Sequence, residues 1–437
     1  METLLIIFFV LLFIVAILVG SPLFTIIGGA AVVLFKFFTE PAVPTSAIII
    51  EMGRLANAPG ITAIPLFIFA GYIFAESKAS SRLIKMSNAC LGWLPGGLAA
   101  VTVIVSSIFT AMTGASGITI IACGGILLPA LIKDGYNKDF SLGVVTASGS
   151  SGVLFVPSLP IIIYGMVSRT DITELFMACM IPGLLIVACL GGYGVYYGVR
   201  NRIPTQKFSF RTLAEAVWEA KWELPLPFIV IFGIYGGVIT VGEAAAVAAT
   251  YALVSECLIY REISFSQLLR IVVDSMITVG AILVVLGTAL GLTNYLVDQE
   301  VPQKILEIVE QAIDSKIVFL LALNLFLLVV GCLMDIFSAI VVVVPLIAPV
   351  AVAFGIDPVH LGVIFLANLE IGYLTPPVGI NLFISSLRFD ESVMRLYRVV
   401  IPFLLLLVIA LLIISYWPAL SLTLVELLSD KREIIMI

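Results

Sequence analysis

Charge is scarce in this chain: Asp, Glu, Lys and Arg make up 11% of its 437 residues, against 61% hydrophobic residues and a mean hydropathy of +1.21. Soluble domains carry about a quarter charged residues, so this composition excludes an ordinary water-soluble globule. Histidine is rarer still. His360 stands alone, which excludes a histidine-based catalytic triad or metal site. The six cysteines (Cys90, Cys123, Cys179, Cys189, Cys257, Cys332) lie singly in apolar segments, without metal or redox spacing, and read as small packed hydrophobes. A net charge of −6 with no basic patch excludes nucleic acid as a partner. The first apolar run, 4–20, lacks a basic leader and a clear cleavage site, so it is expected to be a retained helix rather than a signal peptide.

What is abundant is long apolar runs. A hydrocarbon core of about 30 Å takes roughly 20 apolar residues per helix. Full crossings are expected at 4–20, 22–38, 61–77, 140–166, 175–198, 224–240, 243–260, 271–296, 360–386 and 399–418. Segments 96–132 and 317–356 are too long for one span, and each has a polar or glycine-rich interruption, Thr113 to Gly117 and Asp335 to Ser338. Each reads as a re-entrant hairpin, whose tip is tolerated at membrane depth only when buried in protein or lining a watery cavity. Segment 41–58 is expected to be an interfacial helix.

Landmarks recur at an offset of 220 residues: Gly71 and Gly291, Pro129 and Pro349, Gly135 and Gly355, Gly152 and Gly372, Pro157 and Pro377, Ile181-Pro182 and Ile401-Pro402. A constant offset along both halves indicates internal duplication. The expected units are a first repeat at 1–200, a cytoplasmic linker at 201–223, a second repeat at 224–420 and a tail at 421–437. Basic residues favour the cytoplasmic side of short loops. The loop with Lys78, Arg82 and Lys85 is basic, whereas its counterpart holds Asp298, Glu300, Glu307 and Glu310; Arg388, Arg395 and Arg398 oppose Arg169, Asp171 and Glu174. The halves are therefore expected to be inverted, with the linker (Arg200, Arg202, Lys207, Arg211) cytoplasmic and the Lys431-Arg432 pair outside.

Crossings 140–166 and 360–386 contain Ser148 to Pro160 and Asn368 to Asn381, rich in glycine and proline. Proline removes a backbone donor and glycine unwinds cheaply, so both helices should break near mid-membrane. Paired broken helices in equivalent halves point to a transporter's binding site: freed carbonyls hold a cation, half-helix N-termini an anion. Ser116, Ser150, Ser151, Ser158, Ser338, Asn368, Thr375 and Asn381 are neutral oxygen donors suited to an alkali cation. Two acids, Asp335 and Glu370, fall in apolar territory, where ionisable residues are expensive and functional by default. Asp335 offers a cation ligand, a substrate contact or a proton carrier; Glu370 either shares such a role or faces cytoplasmic water. Arg169 reads as a loop charge and His360 as an interfacial loop residue.

At Gly92 to Gly97, Thr113 to Gly117, Lys133 to Tyr136, Val156 to Pro160 with Tyr164-Gly165, Asp335, Gly355 to Pro358 and Asn368 to Asn381, the sequence resembles the large membrane subunit of tripartite ATP-independent periplasmic (TRAP) transporters, the DctM-like permeases. It departs from that pattern at Val156, where the family usually has a proline. The resemblance implies an all-α polytopic membrane protein of two inverted-topology repeats in the bacterial inner membrane. It implies an elevator-type carrier like others of the ion-transporter superfamily, with sodium as coupling ion and no other cofactor. Its partners would be a small four-helix membrane subunit, a periplasmic substrate-binding protein and an organic acid.

Carried over, a first sodium site falls on Thr113, Gly114, Ser116, Gly149, Ser150 and Ser151, and a second on Gly331, Asp335, Gly372 and Thr375. The substrate would meet Ser116, Ser158, Asp335, Asn368, Pro376 and Asn381. A self-sufficient carrier of the same class is the alternative. A channel suits paired hairpins less well, and an intramembrane enzyme lacks the residues for its chemistry.

Overall fold

The computed structural model describes residues 8, 9, 11–13, 15, 16, 19–38, 46–58, 60–205 and 207–435, and among them there is no β-strand. The first part of the chain forms α1 (Leu23–Phe37), α2 (Ser46–Leu55), α3 (Ala63–Glu76) and α4 (Ala79–Leu91), then α5 (Gly97–Thr113) and α6 (Ser116–Lys133). It continues through α7 (Lys138–Ser148), α8 (Leu159–Ser168) and α9 (Ile172–Arg200). Next come α10 (Phe210–Glu219), α11 (Pro225–Tyr235) and α12 (Val241–Leu253), which ends in a π-helical turn over Val254–Ile259. The last part holds α13 (Phe265–Asp298), α14 (Val301–Ala312), α15 (Lys316–Leu333), α16 (Ile336–Ala353), α17 (Pro358–Gly372), α18 (Ile380–Phe389), α19 (Val393–Tyr416) and α20 (Ala419–Ile435).

Among the described residues seven helices, α6, α9, α12 with its π turn, α13, α15, α16 and α19, are long and apolar enough to cross a membrane. The 34-residue α13 packs against α1, α2 and α3, and α3 packs against α12. The remaining long elements form a second group that carries both hairpins and both broken helices. Within it the packing is exchanged: α6 of the first hairpin lies on α18, while α16 of the second hairpin lies on α8. Prolines recur inside corresponding helices, Pro129 in α6 with Pro349 in α16, and Pro182 in α9 with Pro402 in α19.

Both expected hairpins form. α5 turns into α6 through Gly114, in the left-handed region at φ +69°, where only glycine fits comfortably. α15 turns into α16 through Met334 and Asp335. The arms are longer than the expected half-helices, at 17 or 18 residues each. At 1.5 Å per residue they reach about 26 Å. Both broken helices also form, with interruptions between Ser148 and Leu159 and between Gly372 and Ile380.

Other expectations need correction. The basic loop 78–90 and the region 298–316 contain α4 and α14, whose charges dilute their hydropathy without preventing an apolar face. The expected crossing 224–240 yields only α11, 11 residues long and so about 16 Å; Gly236 and Gly237, the latter at φ +67°, end it. The expected tail 421–437 continues α20 to Ile435, packed on α9 and α17. The side chains of Lys431 and Arg432 lie outside the described residues, as does part of segment 41–58, of which α2 is seen. Part of the run 4–20 is likewise outside them.

His360 is no interfacial loop residue. It is buried in the first turn of α17, its ring nitrogens within 3.1 Å of Ser421 Oγ and 3.3 Å of the Ser415 carbonyl oxygen. Nor is Arg82 a loop charge. It is buried, donating to Glu223 through Nε, to Glu256 through Nη2 at 2.7 Å and to Glu262 through Nη1 at 2.6 Å, with its guanidinium 3.8 Å from the Tyr260 ring centroid. Burial pushes the Glu223 carboxyl above the usual carboxylate range, against the opposing pull of Arg82.

This node ties α4, which leads into the first hairpin, to the ends of α10, α12 and the start of α13. Removing one partner of a buried pair strands the others and costs about 3–5 kcal/mol. Arg82→Met is therefore expected to lower the melting temperature of the detergent-solubilised protein markedly, whereas Lys85→Met, which breaks an exposed pair with Glu219 at 3.0 Å, is expected to leave it unchanged. Equal melting of the two variants would refute the structural role of the node.

Candidate membrane transport site

The first hairpin and the first break are joined by hydroxyls. Thr110 Oγ1 lies 2.7 Å from the Gly149 carbonyl oxygen, to which it donates, and 2.7 Å from Thr119 Oγ1 on the opposite arm. Ser107 Oγ and Ser151 Oγ are 2.7 Å apart, and Ser148 donates to Ser106 at 3.2 Å. Gly152 permits this approach, because a Cβ there would sit 2.1 Å from the Ser107 carbonyl oxygen. The tip itself abuts the start of α8: a Cβ on Gly114 would fall 2.5 Å from Leu159 Cδ1. Thr113 and Ser116 are buried on either side of it. The bonds to the break come from the last two turns of α5 rather than from the tip, and Ile120 of α6 packs on Gly149, so the residues expected at the first sodium site lie on adjoining segments. Ser150 reaches across to the other half, donating to the Glu370 carbonyl oxygen at 3.4 Å.

The second half uses a different set of contacts. Gly331 and Gly372 meet backbone to backbone: a Cβ on Gly372 would lie 2.6 Å from Gly331 Cα. The Gly379 N–H donates to the Cys332 carbonyl at 3.1 Å, and the Ile336 N–H to the Tyr373 hydroxyl at 2.6 Å. Asp335 caps α16, its Oδ1 accepting from the N–H groups of Phe337 and Ser338 at 3.0 and 3.1 Å and its Oδ2 from the Ser338 hydroxyl. Thr375 donates to the Ile371 carbonyl at 3.0 Å. Gly331, Asp335, Gly372 and Thr375 are thus brought together around one tip. The donor set at both tips is neutral oxygen plus one carboxylate, which fits a hard, weakly held alkali cation. Among the described residues no three His, Cys, Asp or Glu side chains gather as a metal site.

Three of the residues expected to meet substrate carry buried polar atoms with no hydrogen-bond partner among the described residues: Ser158 Oγ, Asn368 Oδ1 and both amide atoms of Asn381. Buried polar groups are nearly always paired, so each such exception calls for an explanation. Ser158 is the N-cap residue of α8, and Asn381 lies in the first turn of α18; neither helix has a side-chain cap. Each half-helix therefore starts without a side-chain cap and beside an unpaired polar side chain, although in α18 the Asn381 and Leu382 N–H groups donate to the Tyr373 and Gly379 carbonyls, and in α8 Pro160 carries no N–H. Pro376 departs from this pattern, being exposed in the turn before α18. Glu370 does not face cytoplasmic water: it is 0% exposed, and both carboxyl oxygens lack a hydrogen-bond partner among the described residues. Arg169 is exposed, in a left-handed turn at φ +59°. Sequence reasoning missed Thr110, Tyr373 and Asn324. Asn324 is the one strongly polar residue after Lys316 in α15, a signal that was available.

Hairpin tips beside paired broken helices, in a polytopic helical protein, are the arrangement of a membrane carrier. The chain belongs to the TRAP transporter large permease family: the model of the tripartite ATP-independent periplasmic transporter DctM component matches residues 10–420. An isethionate TRAP transporter permease protein DctMQ of Oleidesulfovibrio alaskensis is 38% identical over 82% of this chain, which spans 57% of that relative's length. The C4-dicarboxylate TRAP transporter large permease protein DctM of Vibrio cholerae is 33% identical, covering 97% of this chain and 99% of the relative. The ectoine/5-hydroxyectoine permease protein UehC of Ruegeria pomeroyi is 33% identical over 96% of this chain and 98% of its own. The YdaH transporter of Alcanivorax borkumensis superposes with a TM-score of 0.61 at 14% identity, covering 93% of this chain and 97% of that one, a likeness of fold.

Proposed function

We propose that this permease imports a small organic acid anion across the bacterial inner membrane, coupled to sodium and supplied by a periplasmic binding protein, with a small four-helix subunit as membrane partner. The observation that carries the reading is the pair of uncapped half-helix N-termini, each beside a buried, unpartnered polar side chain. Partial positive charge at such ends favours an anion, and the oxygen-rich tips beside them favour a cation, so ion and anion would occupy one neighbourhood and screen one another.

Corresponding elements from α4 to α9 and from α14 to α19 start 219 to 222 residues apart, and the reversed loop charges favour inverted halves. An elevator-like motion agrees with an apolar seam: Met112 and Pro157 of the site-bearing group face Phe67, Phe74, Leu226, Val230 and Ala248. The residues lining that seam carry no charge. The named relatives suggest dicarboxylates, sulfonates or ectoines as cargo.

Proteoliposomes test the reading. Sodium-driven, saturable accumulation of an organic acid is expected when the chain, a small subunit and a loaded binding protein are combined. Accumulation by the chain alone would favour the self-sufficient carrier, and accumulation indifferent to the sodium gradient would overturn the coupling.

A further inference from the structure

Asn324 sits midway along α15, 3% exposed, at the junction of three helices. The orientation of its amide follows from one acceptor-only group. The Ile364 carbonyl can only accept, so the contact at 2.8 Å must be made by Asn368 Nδ2. The second Nδ2 hydrogen then points to Asn324, 2.7 Å away, which must present Oδ1. The Ser415 hydroxyl of α19 donates to that same oxygen at 3.1 Å. Both amides are thereby fixed without appeal to their density of packing, and each is left with one atom unused. Asn324 Nδ2 is a bare donor and Asn368 Oδ1 a bare acceptor, both buried without a partner among the described residues.

A bare buried donor and acceptor held on two neighbouring, directly bonded amides complement a group that both accepts and donates. A carboxylate or sulfonate only accepts, and a methylene does neither. A hydroxyl does both. Asn368 lies four residues before Gly372, so the pair is one helical turn, about 6 Å, from the break. The far side of that break is tied back to it, since the Asn381 N–H in the first turn of α18 donates to the Tyr373 carbonyl at 3.2 Å.

We infer that Asn324 and Asn368 together read a hydroxyl on the transported anion, and that the substrate class is therefore hydroxylated organic acids rather than their plain counterparts. This rests on the proposed transport of an organic anion, and it assigns to Asn324 a binding role beyond that reading. The apolar alternative has a cost: a site built to bond a hydroxyl rejects the analogue lacking it, because its own buried groups are left unpaired.

The test uses the full-length chain in detergent with sodium and matched pairs of anions differing by one hydroxyl: malate and succinate, isethionate and ethanesulfonate, lactate and propionate. The half-saturating concentration for thermal stabilisation is expected to be roughly tenfold lower for the hydroxylated member of the pair that binds, the worth of about one paired hydrogen bond. Asn324→Leu is expected to bring the two members to parity while sodium-dependent stabilisation persists. Ser415→Ala removes the other donor to Asn324 but leaves the amide pair intact, so it should keep the preference; a purely structural role for Asn324 would make the two variants behave alike. Parity in the wild-type chain, or a preference that survives Asn324→Leu, overturns the inference, the second result meaning that water satisfies the two amides. If no anion of any pair stabilises the protein, the anion-transport reading itself fails.

Discussion

Sodium-dependent uptake by Asp335→Asn is expected to require roughly 100-fold more sodium than the wild type, with the protein still inserted and folded. Asp335 supplies the one carboxylate at either tip, and a charge-assisted contact is worth about 1.5–3 kcal/mol. The asparagine variant is the informative one. Asparagine caps helices nearly as well as aspartate, so it should retain the bonds to Phe337 and Ser338 while removing the charge. Asp335→Ala loses both and is expected to lower stability as well, by about 1 kcal/mol for the missing cap. Thr375→Ala should follow Asp335→Asn in direction, since its hydroxyl stands at the same junction. The measurement is a sodium titration of uptake in proteoliposomes, and an unshifted curve for Asp335→Asn would remove the second cation site.

Gly372→Val is expected to abolish transport altogether. A Cβ at that position would lie 2.6 Å from both Gly331 Cα and its carbonyl carbon. Those are backbone atoms, which cannot rotate away as a side chain can, so the hairpin must lift off the broken helix. The same holds for Gly152→Val, against the Ser107 carbonyl oxygen at 2.1 Å and the Ala111 nitrogen at 2.7 Å. Overpacking of this kind costs about 1–3 kcal/mol where neighbours can adjust, and here they can adjust little. Gly192 and Gly280 provide the contrast, since a Cβ at either meets nothing within 4 Å. Gly192→Ala and Gly280→Ala are expected to transport normally. Uptake and melting temperature of the four variants decide the matter, and normal uptake by Gly372→Val would show that the hairpin need not touch the break.

Much of this architecture was legible in the sequence because glycine and proline act locally. The tip at Thr113 to Gly117 and the breaks at Ser148 to Pro160 and Asn368 to Asn381 are visible from the residues that form them. What was not legible depends on distant partners. Arg82 reads as a cytoplasmic loop charge until Glu223, Glu256 and Glu262 are brought to it from 141, 174 and 180 residues away. His360 looks interfacial until Ser415 and Ser421 close over it. Amphipathic helices such as α4 and α14 escape a reading based on apolar runs, because half of each is polar by design. At the site, the sequence displays the residue types but not their hydrogen-bond partners. The Gly149 carbonyl accepts from Thr110, 39 residues away, and among the described residues Ser158, Asn368 and Asn381 carry unpaired buried polar atoms, none of which local sequence displays.

The exchanged packing, α6 on α18 and α8 on α16, makes each half the chaperone of the other. Expressed apart, neither would have a neighbour to cover the second arm of its own hairpin, so the two are expected to be inseparable by proteolysis or gene splitting without loss of the whole. Two identical copies could make the same exchange only symmetrically. One continuous chain is free of that constraint, and it has used the freedom: the position that holds a carboxylate in one tip, Asp335, is filled by Ala115 in the other. Two tips that hold matching places in the packing are thereby made chemically unlike.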